Sequence, residues 1–227
     1  MQLRTTMKKI FPLLLFIGLG VFFASAQIVQ IANDEDTQSW NDVQLTVPVT
    51  KKFDFYAAVT ARFGKNVSRL NDRQFALGFV YRLSKSWSFQ PFYRNIRARN
   101  TSGKFGIEHR LNLRVGYRFP FKTFGLSHRS GFERRFRSPR NSWRYRPSLT
   151  FEKDIPKNFI SKAKLFVTDE VFYDSILKRF SRNRFTVGVT RQLTKQLSLD
   201  VYYMRQNDGF SRPGNLNVIG TSFKARL

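Results

Sequence analysis

From Gly106 to Phe119 the chain alternates without a break. Odd positions carry Ile107, His109, Leu111, Leu113, Val115, Tyr117 and Phe119, and even positions carry Gly106, Glu108, Arg110, Asn112, Arg114, Gly116 and Arg118. Successive side chains of a strand point to opposite faces, so this is one strand with an apolar face and a charged face. The same period of two runs through Phe53 to Phe63, Gln74 to Leu83, Trp143 to Glu152 and Leu197 to Met204. These segments reach about ten residues, the length that a tilted strand needs to cross a bilayer. Soluble β-sandwiches alternate too, but their strands usually run to about five or six residues. A sandwich would also leave this chain with a heavily basic solvent face.

A loose repeat divides the strands into hairpins. Thr50-Lys51-Lys52-Phe53 resembles Ser84-Lys85-Ser86-Trp87, Phe121-Lys122-Thr123-Phe124, Pro156-Lys157-Asn158-Phe159 and Thr194-Lys195-Gln196-Leu197. The lysines are spaced by 34, 37, 35 and 38 residues. Each motif reads as a short turn between two strands. The opposite connections read as longer loops: Gly64 to Asn71, Asn100 to Lys104, Arg137 to Asn141, Asp174 to Asn183 and Asn207 to Asn215. Short turns on one side and longer loops on the other are the outer-membrane pattern. Trp87, Tyr81 and Tyr117 fall near the short turns, and Trp40 and Trp143 near the loops, as aromatic girdles would.

The pattern therefore predicts an all-β fold: a closed antiparallel transmembrane β-barrel with short periplasmic turns and longer extracellular loops. Two strands at each of five short turns, plus a last strand over Leu216 to Leu227, make eleven. Antiparallel closure requires an even number. About twelve strands follow if residues 27 to 35 add one. Ten follow if the segment Ala163 to Asp174, where Asp169 and Glu170 break both faces, is not a strand.

The N-terminus follows different rules. Lys8 and Lys9 precede an apolar run from Ile10 to Phe23, and Ala24-Ser25-Ala26 supplies the small residues that a signal peptidase reads. We expect a signal peptide over 1–26 and a barrel over 27–227, with cleavage between Ala26 and Gln27. The run is short of the roughly 20 apolar residues that span a bilayer.

Charge adds the next constraint. The 40 Lys and Arg against 15 Asp and Glu give +25; cleavage removes Arg4, Lys8 and Lys9 and no acid, leaving +22. Export argues against nucleic acid as the partner. The chain has no cysteine and two histidines, so thiol chemistry is excluded, and neither a metal site nor a cofactor is expected.

At this point Trp40-Asn41-Asp42-Val43-Gln44-Leu45, Phe89-Gln90-Pro91-Phe92-Tyr93, Ser142-Trp143-Arg144-Tyr145-Arg146-Pro147 and Arg182-Asn183-Arg184-Phe185 resemble an uncharacterised bacterial outer-membrane β-barrel family catalogued as a domain of unknown function. The resemblance covers nearly all of the mature chain. It implies fold and outer-membrane location, and no activity.

Chemistry is expected on the inward faces. Arg62, Arg82, Arg110, Arg114, Arg118, Arg129, Arg144, Arg146 and Arg184 share them with fewer acids: Asp54, Glu108, Glu133, Glu152, Glu170 and Asp200. Such a set gives either an anion-selecting lumen or a lumen closed by arginine–carboxylate networks. A second basic set, Lys65, Arg69, Arg97, Arg99, Lys104, Arg137, Arg140, Lys178, Arg179 and Arg212, lies toward the loops. It would meet the phosphates of anionic outer-leaflet lipid. The other partner expected is the barrel-assembly machinery, through the C-terminal strand. The competing reading is a lipid acyl hydrolase, with His128 as base, Ser130 as nucleophile and Asn141 as third member.

Overall fold

The computed structural model describes residues 35–100 and 102–227; the expected signal peptide, and the extra strand expected over 27 to 35, lie outside the described residues apart from Glu35. Eleven strands follow in chain order: β1 (Glu35–Pro48), β2 (Phe53–Gly64), β3 (Arg69–Arg82), β4 (Trp87–Arg99), β5 (Phe105–Arg118), β6 (Gly125–Arg137), β7 (Ser142–Asp154), β8 (Ala163–Asp174), β9 (Arg179–Gln192), β10 (Leu197–Asp208) and β11 (Asn215–Arg226). They close into one barrel, each hydrogen-bonded to its neighbours in sequence, with β1 meeting β11.

The eleven segments counted along the sequence are thus the eleven strands, and closure is not reached through an even number. An odd number of up-and-down strands makes the first and last run the same way, so their pairing is parallel. The seam runs in register from Glu35 opposite Asn215 to Thr46 opposite Arg226. Side chains tie it on both faces. Asn41 accepts from Thr221 Oγ1 at 2.8 Å, and Asp42 accepts from Ser222 Oγ at 3.2 Å. Gln44 donates to Ser222 Oγ at 3.3 Å, and Arg205 on β10 donates to Glu35 at 2.6 Å.

The segment Ala163 to Asp174 is a full strand, and its two acids find partners on opposite faces. Asp169 accepts from Asn183 Nδ2 at 2.7 Å on the outer face, and Glu170 meets Arg129 and Arg146 within the barrel.

The lysine-containing repeat has a local cause. In three of its copies a hydroxyl immediately precedes the lysine. Thr50 Oγ1 accepts from Phe53 N at 3.1 Å, Ser84 Oγ from Trp87 N at 3.1 Å, and Thr194 Oγ1 from Leu197 N at 3.0 Å. Each hydroxyl substitutes for a missing backbone partner and holds the turn tight. Phe121 and Pro156 occupy that position in the other copies, where the connections, 119–124 and 155–162, are longer.

Of the opposite connections, 100–104 is as expected, whereas 65–68, 138–141, 175–178 and 209–214 are shorter than the sequence suggests, because the strands run on into residues read as loop; this side therefore does not carry the longer loops expected of it. Aspartates at the strand ends make this extension stable. Asp36 accepts from Asn66 N, Asp174 from Ile176 N and Asp208 from Phe210 N, at 2.8, 2.9 and 2.8 Å.

The outer face is an apolar band in which large side chains such as Leu111, Phe75, Phe132 and Ile219 stay exposed. Two buried apolar groups sit on the inner face. Trp40, Met204, Leu216 and Val218 pack beside the seam, and Tyr56, Ala58, Ala76 and Phe92 pack across β2 to β4.

Candidate functional site

On a strongly curved sheet the concave face brings together side chains two or more strands apart, whereas on the convex face it takes a long-armed pair at the rim such as Arg205 and Glu35. Arg226 on β11 reaches Asp54 on β2 at 2.7 Å, past β1. Arg129 on β6 reaches Glu170 on β8 at 2.7 Å, past β7. Arg184 on β9 lies 4.8 Å from the ring of Trp40 on β1. The charged groups at these positions therefore fill the barrel's interior.

They divide into two kinds. The first kind is matched to carboxylates, mostly along β5 to β8. Arg146 holds Glu133 at 2.5 Å and Glu170 at 2.8 Å. Arg110 holds Glu108 at 2.5 Å and Glu133 at 3.4 Å. Arg135 joins Glu108 at 2.6 Å, and Arg144 joins Asp174 at 2.7 Å. Arg82 pairs with Asp54, and Arg118 lies 3.7 Å from Glu152 near the short turns. Asp200 accepts from Lys224 at 2.5 Å and from Thr190 at 2.8 Å.

The second kind is held by neutral amides and keeps its charge unmatched. Arg94 donates to Gln74 Oε1 at 3.1 Å, Arg114 to Gln90 Oε1 at 3.4 Å, and Arg184 to Gln206 Oε1 at 2.9 Å. Arg62 is only loosely matched, 3.7 Å from Asp72, and stacks on Trp40 at 3.7 Å. Trp40 is thus clamped between Arg62 and Arg184.

Three cavities follow one another along the interior. The one nearest the short turns, about 360 Å³, shares Arg114 and Arg129 with a middle cavity of about 280 Å³. The middle one shares Trp40, Arg62 and Arg184 with a loop-side cavity of about 650 Å³. Five cations and no carboxylate line the first, seven cations and three carboxylates the second, and ten cations and four carboxylates the third. Every section of the interior is net positive. Arg62, Arg94 and Arg146, all on the middle cavity's wall, each keep a buried guanidinium Nε with no acceptor among the described residues.

Sequence reasoning missed several interior groups. Arg94, Arg135 and Arg182 alternate with outward residues on their strands, and parity alone would have found them. Asp174 and Asp208, read as loop, are partners of Arg144 and Arg182. Trp40 is not a girdle residue. It shares the inward parity of Asp36, Gln38 and Asp42, and is 6 % exposed. Of the residues read as a loop-side basic set, Arg69, Arg99, Arg137 and Arg212 line the loop-side cavity, whereas Arg97 faces outward from β4.

His128 and Ser130 do come together, with Nε2 and Oγ 3.0 Å apart. Asn141 does not join them. It sits beyond the far end of β6 and accepts from Arg137 N at 3.1 Å. The third group is the Tyr145 hydroxyl, 3.0 Å from Ser130 Oγ on the side away from the histidine. His128 Nδ1, the atom that an orienting acid would hold in a triad, is buried and without a hydrogen-bond partner among the described residues.

A family model described as "Protein of unknown function (DUF2490)" matches residues 37–217. No curated protein sequence matches the chain. Among solved structures, the NanC porin is similar at a TM-score of 0.50 and 10% identity, covering 85% of this chain and 99% of that one. The KdgM porin is similar at 0.45 and 12%, covering 77% and 92%. An anion-selective porin from Comamonas acidovorans is similar at 0.40 and 12%, covering 78% of this chain and 54% of that one, so this chain spans about half of that porin's length. At these identities the likeness is one of fold.

Proposed function

Because the chain belongs to the family described as a protein of unknown function (DUF2490), whose description assigns no activity, we propose from its own residues that it is a passive, anion-preferring pore of a bacterial outer membrane. The observation that carries this is the unbroken positive charge of the three cavities, and above all the arginines held by glutamine instead of by acid. Fixed cations inside a low-dielectric wall raise the local concentration of anions and exclude cations. The clamp of Arg62, Trp40 and Arg184, where the middle and loop-side cavities meet, is the main barrier.

The apolar outer band supports membrane placement. Export by a signal peptide cleaved between Ala26 and Gln27, and delivery to the barrel-assembly machinery through β11, belong to the same reading. The histidine–serine pair is structural in this reading: it lacks an orienting acid among the described residues, and it satisfies a hydroxyl on the lipid-facing wall.

The test is conductance of the refolded mature chain in a planar bilayer, with the reversal potential taken under a salt gradient. A steady conductance with anion selectivity is expected, and replacing Arg94 and Arg114 by Gln moves the reversal potential toward zero. A folded barrel that stays silent, or one that prefers cations, overturns the proposal.

A further inference from the structure

Arg73 on β3 and Arg97 on β4 stand directly opposite each other in the ladder. Both point outward and both are exposed. Like charges facing each other across a strand pair are destabilising. Neither guanidinium has a hydrogen bond or ion pair among the described residues. The contrast is Arg205, also outward and near the loop end, which Glu35 neutralises at 2.6 Å.

Toward the barrel's middle the charge gives way to interleaved hydrogen-bonding and apolar side chains. At the loop end, Phe105 lies 5.4 Å from the Arg73 guanidinium. One pair toward the barrel's middle, Asn95 stands opposite His109. Tyr93 Oη is 2.5 Å from His109 Nδ1, and Asn95 Nδ2 is 3.5 Å from it. At the same depth Phe75 stands opposite Asn95, and Leu77 and Leu111 flank Tyr93; they are 45%, 40% and 56% exposed on the same outward face. A pair of arginines at the rim, with hydrogen-bonding and apolar side chains interleaved below it, suits a lipid, whose phosphate sits at the surface and whose headgroup and acyl chains run inward from it.

We propose that Arg73 and Arg97 bind the phosphate of an anionic outer-leaflet lipid. Its headgroup hydroxyls meet Asn95, His109 and Tyr93, and its chains lie along Phe75, Leu77 and Leu111. Two guanidiniums suit one phosphate because each offers a planar fork of donors. The bound anion also removes the repulsion that the bare pair carries. The occupant is a membrane lipid and not free phosphate, since the apolar residues continue the site into the bilayer. This rests on the membrane placement proposed above and not on conduction.

The experiment is native mass spectrometry of the folded, detergent-solubilised mature chain, with folding confirmed by heat-dependent gel mobility. The probes are diphosphorylated lipid A and the same lipid dephosphorylated. Retention of the phosphorylated form is expected, with about tenfold less of the dephosphorylated form. Arg73→Gln/Arg97→Gln loses the preference, Arg134→Gln on the same outer face keeps it, and excess inorganic phosphate does not displace the lipid. Equal retention of the two lipids by the unaltered chain overturns the proposal without needing any variant to fold. Equal preference in the double variant, or displacement by inorganic phosphate, overturns it as well.

Discussion

Arg146 is the side chain whose loss exposes most about how the interior is held. Its guanidinium bridges Glu133 and Glu170 at 2.5 and 2.8 Å, and the side chains of the three are only 14%, 4% and 8% exposed. At that burial the small energies of surface pairs do not apply. Removing one partner of a buried pair costs about 3–5 kcal/mol, because a charge is left without compensation. Glu170 retains Arg129 at 2.7 Å, whereas Glu133 retains only the longer contact to Arg110 at 3.4 Å. Arg146→Met is therefore expected to cost about 3 kcal/mol, the low end of that range. Adding Glu133→Gln to it removes the stranded charge and regains at least about 1 kcal/mol. The assay is urea unfolding of the barrel in phosphatidylcholine vesicles, followed by tryptophan fluorescence and gel mobility, with linear extrapolation to water. A loss below about 1 kcal/mol for the single variant would place the pair in the range of solvated surface ion pairs. A double variant no more stable than the single one would mean that packing, not charge, fixes this wall.

Two other perturbations follow from the same interior. Trp40→Ala opens the clamp between Arg62 and Arg184, so single-channel conductance rises while anion preference remains; a conductance that is unchanged places the barrier elsewhere. Asp54→Asn weakens the hold of one carboxylate on both Arg82 and Arg226, a link that passes over β1, so the barrel loses about 2 kcal/mol in urea unfolding. Arg82→Gln, which leaves the bond to Arg226 in place, loses less.

Most of the wall was legible from alternation, because a strand with lipid on one side and charge on the other has little choice of side chain at either parity. Arg110, Arg129, Arg144 and Arg146 meet acids of other strands, as a shared face requires. Trp40 was misplaced because a tryptophan near a strand end suggests an interface, although its own strand's parity put it inside. Asp174 and Asp208 read as loop because Arg, Asn, Ser and Gly are frequent in their segments. In fact these acids cap the turns and so lengthen the strands. The pairing of particular arginines with glutamine or with acid depends on neighbours up to two strands away, and a one-strand pattern carries no such information. The strand number lies between the two expected values, twelve and ten, because the rule of an even number assumes antiparallel closure and the seam between β1 and β11 is parallel.

The parallel seam also bears on how the wall comes to be closed. Every other pair of strands is joined by a short connection and forms from a hairpin, whereas Glu35 and Asn215 are brought together from opposite ends of the sheet. Loop closure over so long a stretch comes late, so the sheet exists first as an open ribbon with two bare edges. Bare edges pair with whatever strand is offered, and a slip of one residue would turn every side chain of β1 to the wrong face. The bonds from Thr221 to Asn41 and from Ser222 to Asp42 join side chains on opposite faces of the seam and fit only one alignment. They act as a lock and its key cut into the two edges, so that the ribbon recognises its own other end and rejects a stranger's.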